Sequence, residues 1–68
     1  MEKIIANRLN IDQDSIQDHM HFVNDLGADS LHIVEIVMEI EQEYNIEIPD
    51  EDVETLETVG DLRNYLAN

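Results

Sequence analysis

Asp29-Ser30-Leu31-His32-Ile33-Val34-Glu35-Ile36-Val37-Met38-Glu39-Ile40-Glu41-Gln42-Glu43-Tyr44 is the stretch on which the architecture of this chain turns. Advancing about 100° per residue from Leu31, Ile33, Ile36, Val37, Ile40 and Tyr44 fall in one arc, at roughly 140° to 240°. Leu31, Val34 and Met38 fall in a second, at roughly 300° to 0°. Glu41 lies between the two, and His32, Glu35, Glu39, Gln42 and Glu43 fill the rest. A helix packed on one core needs one apolar stripe, not two. The first arc is assigned to the core. The second, beside Ser30, is then expected to be partly exposed as a docking strip of Leu31, Val34 and Met38, rimmed by Asp29, Glu35 and Glu41. Burial on both sides is the competing reading, and it would leave Glu41 unpaired in the interior at a heavy cost. Met38 suits a surface that meets several partners, because its thioether repacks easily.

Outward from this helix, the pattern predicts more helices. Glu2 to Leu9 carries Ile4, Ile5 and Leu9 on one side. Residues 10 to 28 read as a long polar connection anchored by Ile11, Ile16, Phe22, Val23 and Leu26. A connection of that length in so short a chain is usually functional or holds a turn of helix. Asp29 has the chemistry of an N-cap for a helix running from Ser30 to Tyr44. Pro49-Asp50 breaks the chain, and Asp50 or its neighbour can cap a short helix over about Glu51 to Leu56. Thr58 and Asp61 resemble a capping box for a last helix through Leu66, with Gly60 weakening its first turn. No segment alternates with period two, so strands are not expected. The fold class is all-α: a small four-helix bundle of three main helices and one short one, in a single domain spanning 1–68.

Charge narrows the functions. Seventeen Asp and Glu against three Lys and Arg give a formal net charge of -14, with no cysteine. Nucleic-acid binding needs basic surface and is argued against. Partners with basic patches, found by electrostatic steering, are favoured. Like charges also oppose self-association, so a monomer is expected. High charge can signal disorder, but 43% of the residues are hydrophobic and they recur periodically. Without cysteine, neither disulfides nor thiolate zinc sites can brace the fold. No apolar run reads as a signal peptide or a membrane span, so a cytoplasmic location is the default expectation.

Phe22-Val23-Asn24-Asp25-Leu26-Gly27-Ala28-Asp29-Ser30-Leu31 strongly resembles the attachment motif of acyl carrier proteins. Val34-Glu35-Ile36-Val37-Met38 and Glu47-Ile48-Pro49-Asp50-Glu51 continue the match in order, across essentially the whole chain. The resemblance implies that Ser30 bears 4′-phosphopantetheine, derived from coenzyme A. Asp29 would cap the helix and contact the phosphopantetheinyl transferase (holo-carrier synthase) that loads the arm. Physical chemistry agrees, since an anionic phosphodiester at a helix start meets free N–H groups and the positive end of the dipole. Gly27 lets the chain turn before the helix. The cofactor would supply the thiol that the chain lacks.

The same resemblance implies a carrier of type II fatty-acid synthesis. Such a carrier holds acyl chains as thioesters and delivers them to synthesis enzymes and acyltransferases with basic docking patches, with Leu31, Val34, Glu35, Met38, Glu41 and Ile48 at the contact. It implies shelter for the acyl chain among Phe22, Ile36, Val37, Ile40, Ile48, Val53, Leu56, Leu62 and Tyr65. Two positions depart from the family's habit: His32 stands where many fatty-acid carriers have an acid, and Val53 where many have Ala. They keep open a specialised carrier for polyketide, amino-acyl or modified lipid pathways. A different class, an acidic ion-binding or protein-interaction module without prosthetic group, is the other alternative.

Other signals do not assemble into chemistry. Asp12, Asp14 and Asp18 suggest an EF-hand loop, but Ile16, Gln17 and Val23 occupy positions that need ligands or Gly. Loose divalent binding near Asp50, Glu51, Asp52 and Glu54 is read as an ion atmosphere. His19 and His21 lack further ligands at a metal spacing and read as loop residues. No nucleophile, base and orienting acid can be assembled, and Ser30 and His32 diverge on a helix. A carrier without catalysis of its own, and without a metal, is expected.

Overall fold

The computed structural model describes residues 1–67. Four α-helices follow one another: α1 (Glu2–Leu9), α2 (Ser30–Tyr44), α3 (Asp50–Val53) and α4 (Val59–Ala67), with one 3-10 turn at Gln13–Ser15. This is the expected all-α bundle, with α1 and α2 bounded as the sequence predicts. Among the described residues no helix is long and apolar enough to cross a membrane.

The two long-range partners α1 and α2 end alike. Asn10 and Asn45 adopt left-handed conformations (φ 57 and φ 54), and their N–H groups return to the carbonyls of Ala6 and Glu41. Asparagine tolerates this region better than most side chains, and it closes both helices without glycine. The capping box expected at α4 is present. Asp61 N–H donates to Thr58 Oγ1, and Asp61 Oδ2 accepts Thr58 N–H, each at 3.1 Å.

The short helix differs from expectation. It spans Asp50–Val53 rather than about Glu51 to Leu56, and its N-cap is Pro49, with no side-chain cap bond. Asp50 thus lies inside the first turn, where its charge favours the dipole without capping. Thr55 ends the helix early, because its N–H and its hydroxyl both donate to Asp52 O, at 3.0 and 2.7 Å. Leu56 then drops into the core.

Ile5, Ile36, Ile40, Val59 and Leu62 form the fully buried centre, joined by Phe22, Val37, Ile48 and Leu56. Of the inner arc of α2, Ile36, Val37 and Ile40 are buried, Ile33 is half-buried against them, and Tyr44 is the exception. Tyr44 is 42% exposed. It sits at the last turn of α2, beside Met1 and Ile4 at the edge of α1.

The long connection is stitched to the start of α4 by three backbone bonds. Gly60 N–H donates to Asp18 O at 2.7 Å, Val59 N–H to Met20 O at 3.0 Å, and Phe22 N–H to Glu57 O at 3.0 Å. A Cβ on Gly60 would stand 3.0 Å from the Asp18 carbonyl oxygen, so glycine permits this approach. Two of the three acids that suggested an ion loop are used within the chain. Asp12 caps the 3-10 turn through Asp14 N–H at 3.0 Å, and Asp18 accepts from Arg63 Nε at 2.8 Å. Arg63 also binds Glu2, joining α4, the connection and α1.

Three outcomes are expected. A chain of this length has a stability of roughly 3–10 kcal/mol, and Ile40→Ala should remove about 2–5 kcal/mol of it. Urea titration should find that variant largely unfolded at low salt. Added sodium chloride should raise the melting temperature of the wild type, as screening relieves its self-repulsion. The hydrogen bond from Arg63 holds the Glu2 carboxyl below its ordinary 4.5, and backbone N–H groups of Thr58 and Glu57 hold Asp61 below its ordinary 3.8. Both carboxylates favour the fold in their charged forms. Their contribution is complete above those ordinary values and is lost as pH falls through the lowered ones. Thermal melts at stepped pH should show stability declining on the acid side of 4.5, and Arg63→Gln should remove the Glu2 part of that dependence.

Candidate functional site

Ser30 is the first residue of α2 and is exposed. Gly27, at φ 72, lets the turn before it fold back. That turn is organised by His21: its carbonyl accepts Asp25 and Leu26 N–H at 2.9 and 3.1 Å, and its own N–H donates to Asp25 Oδ2 at 2.7 Å. His21 Nδ1 accepts Val23 N–H at 3.3 Å. The loop histidine thus has a structural task that the sequence did not reveal.

The cap sets the helix start. Asp29 is extended, and its Oδ1 accepts His32 N–H at 2.9 Å. In return His32 Nδ1 accepts Asp29 N–H at 3.4 Å, completing a capping box. An imidazole here takes the place usually held by Glu or Gln. The N–H groups of Ser30 and Leu31 remain at the open end of the helix, which offers them no acceptor. No described side chain holds the Ser30 hydroxyl. An exposed, unengaged hydroxyl beside two free donors and a positive dipole end fits an anionic ester oxygen.

A groove of about 590 Å³ opens at Ser30, with Phe22, Ile33, Val34, Val53 and Leu56 in its walls and Asp50, Glu54 and Glu57 on its rim. Beside it lies a small apolar cavity of about 10 Å³, room for roughly one water. Its lining is Phe22, Ile33, Ile36, Val37, Val53, Leu56 and Leu62. Phe22, Ile33, Val53 and Leu56 belong to both and form the partition between them. Of the residues expected to shelter an acyl chain, six line this cavity and three do not. Ile40 is fully buried elsewhere, Ile48 borders a different groove, and Tyr65 is held by a hydrogen bond from its hydroxyl to Asp52 Oδ2 at 2.8 Å. That bond to a carboxylate holds the Tyr65 phenol above its ordinary 10.0. Ile33 is the wall residue that the sequence reading assigned to the core alone.

The outer arc of α2 is open: Leu31 is 66% exposed, Met38 55% and Val34 51%. Its expected acidic rim is present but engaged. Asp29 caps the helix. Glu35 Oε2 lies 3.5 Å from Arg8 Nη1, and the same guanidinium binds Glu39 through Nη2 at 3.0 Å. Glu41 Oε2 accepts Ile48 N–H at 2.8 Å. Ile48, expected at the contact, is buried apart from its edge on the groove between α2 and α3. Among the described residues no group of three or more acidic, His or Cys side chains is arranged to hold a metal ion.

Residues 1–66 match the family described as the phosphopantetheine attachment site. Two solved structures are similar over most of their length. One, from Mycobacterium tuberculosis and described as an acyl carrier protein, is 34% identical, with a TM-score of 0.90 over 96% of this chain and 86% of the other. The acyl carrier protein from Enterococcus faecalis is 43% identical, with a TM-score of 0.79 over 96% of this chain and 82% of the other.

Loss of the cap should be measurable apart from any loss of charge. Asp29→Ala should cost about 1 kcal/mol in urea unfolding. Asp29→Asn should retain most of that stability, because the amide oxygen still accepts His32 N–H.

Proposed function

We propose, from the premise that this chain belongs to the phosphopantetheine-attachment family of acyl carrier proteins, that it carries acyl groups for fatty-acid synthesis on an arm joined to Ser30. The observation that carries the assignment to Ser30 is its exposed, unengaged hydroxyl at the capped start of α2, inside the motif Asp-Leu-Gly-Ala-Asp-Ser-Leu. The group of this family, 4′-phosphopantetheine, supplies the terminal thiol on which an acyl chain rides as a thioester. The chain's own part is to present and protect. Ser30 and Leu31 N–H receive the phosphodiester charge, Asp29 and His32 keep the helix start rigid, and the groove beside them gives the arm an apolar bed.

The 68 residues act as one carrier domain, without catalysis of their own, and meet a phosphopantetheinyl transferase and then the enzymes of acyl-chain synthesis in the cytoplasm. Leu31, Val34 and Met38 form the apolar centre of that contact, supported by their exposure on one face of α2. Shelter for an acyl chain requires parting Phe22, Ile33, Val53 and Leu56, since the cavity they line has a volume of only about 10 Å³.

Intact mass after incubation of the unmodified chain with coenzyme A and a broad-specificity phosphopantetheinyl transferase tests the reading. A gain of one phosphopantetheine group is expected, absent in Ser30→Ala. A folded wild type that gains nothing sinks the carrier function and favours an acidic interaction module. For the cavity, Val53→Ala should slow hydrolysis of longer acyl thioesters relative to wild type. Equal rates across chain lengths would remove the interior as an acyl shelter.

A further inference from the structure

Two imidazoles bracket the segment that presents Ser30, and both turn the same ring nitrogen toward backbone. At the entry, His21 Nδ1 accepts Val23 and Asn24 N–H at 3.3 and 3.4 Å. At the exit, His32 Nδ1 accepts Asp29 N–H at 3.4 Å. Between them Ala28 N–H returns to Phe22 O at 2.9 Å, so the turn closed by His21 runs directly into the cap closed by His32. A ring nitrogen that accepts carries no proton, so these three bonds exist only while both imidazoles are neutral.

The charged rings have other partners within reach. His21 Nε2 lies 3.8 Å from Glu57 Oε2. Asp25 of the same turn and Asp61 of α4 also stand near it, and Asp50 and Glu54 of α3 border the groove it lines. His32 Nδ1 lies 3.2 Å from Asp29 Oδ1. Glu35 follows one turn along α2 and is held by Arg8 of α1. Arg8 apart, all of these groups are carboxylates. Uptake of a proton at Nδ1 therefore exchanges N–H partners for carboxylates at both ends of the segment. At His32 it also sets a positive charge in the first turn of α2, against the helix dipole.

We propose that His21 and His32 are positioning residues for the loading of Ser30, and that they make its presentation depend on pH. Neutral, they hold residues 21–32 in the form that a transferase uses. Protonated, they release the N–H groups of Val23, Asn24 and Asp29 and turn to carboxylates instead. Neither ring is bonded to the Ser30 hydroxyl, so both act through the backbone. Histidine changes its charge between about pH 5 and 8, so the loadable form is complete at the upper end of that range and lost toward the lower. The proposal rests on the carrier reading and adds to it a condition under which the serine is offered.

The first readout is kcat/KM for loading of the unmodified chain by a broad-specificity phosphopantetheinyl transferase with coenzyme A, measured by intact mass at about pH 8 and about pH 5.5. Each chain is scored by the ratio of its own two rates. A change common to both pH values then cancels, and the enzyme's own titration is the same for every chain. His21→Asn with His32→Gln keeps an acceptor oxygen at both positions but takes up no proton. The ratio of alkaline to acid rate in the wild type should exceed that of this double variant about three- to ten-fold, the worth of roughly one hydrogen bond. His19→Gln removes the third histidine, which has no hydrogen bond or ion pair among the described residues, and should keep the wild-type ratio. The second readout needs no loading: amide proton shifts of the chain alone are followed over the same range. Those of Val23, Asn24 and Asp29 should move upfield together with the imidazole resonances of His21 and His32, and by more than the amides flanking His19.

Equal ratios in the wild type and the double variant overturn the proposal, as does a ratio altered just as far by His19→Gln. It is equally overturned if the two imidazoles do not titrate in this range, or titrate while the three amides stay fixed. A folded wild type that loads at neither pH strikes the carrier reading instead, and the amide titration still decides whether the two rings hold the segment. Circular dichroism identifies a variant that fails to fold, and the wild-type amides then carry the decision.

Discussion

Fifteen residues of α2 present apolar side chains in two directions at once, and everything else in the molecule is arranged around keeping those directions apart. Ile36, Val37 and Ile40 need α1, α3, α4 and the long connection packed on them. Leu31, Val34 and Met38 need to stay uncovered. A bundle this small achieves both by holding its neighbours on one side of α2 only. Two of these neighbours are fixed by polar bonds at the boundary between the faces: Arg8 to Glu35 and Glu39 for α1, and Glu41 to Ile48 N–H for the segment leading into α3. Exposed ion pairs contribute little energy singly. Here their use is one of placement, marking where the covering stops.

The scarcity of positive charge makes each cation count. Three Lys and Arg serve a chain with seventeen acids. Arg63 joins three parts of the chain, and Arg8 joins two helices. Most of the remaining acids have no Lys or Arg partner among the described residues, which costs the free fold some stability through self-repulsion and gives an approaching basic protein a field to follow. Marginal stability and fast recognition then come from the same composition.

Much of this was legible in the sequence because it is local. The boundaries of α1 and α2 follow from periodicity and from Asp29, and the α4 capping box from Thr58 and Asp61. The two arcs of α2 separate by angle alone. Ser30 stood out because a helix-start serine sat inside a long, ordered motif. What the sequence withheld was of two kinds. Some signals lay outside the usual residue sets, such as His32 completing a capping box, or Asn10 and Asn45 closing helices where glycine is the common choice. Others join residues far apart in the chain: Arg8 to Glu35, Arg63 to Glu2, and the stitching of residues 18 to 22 onto residues 57 to 60. The short α3 was overextended because the hydroxyl of Thr55 competes for a backbone carbonyl in a way that apolar spacing does not register.

Gly60 carries a consequence for how such a chain can change over generations. Its α-carbon faces the Asp18 carbonyl so closely that even a methyl group would press on backbone. The contact lies where the long connection meets α4, and that connection leads through Phe22 to the start of α2. Most exposed positions of the acidic surface are free to drift as new partners are acquired. Position 60 is constrained by backbone instead, because a Cβ there would stand 3.0 Å from the Asp18 carbonyl oxygen and the connection would have to give way.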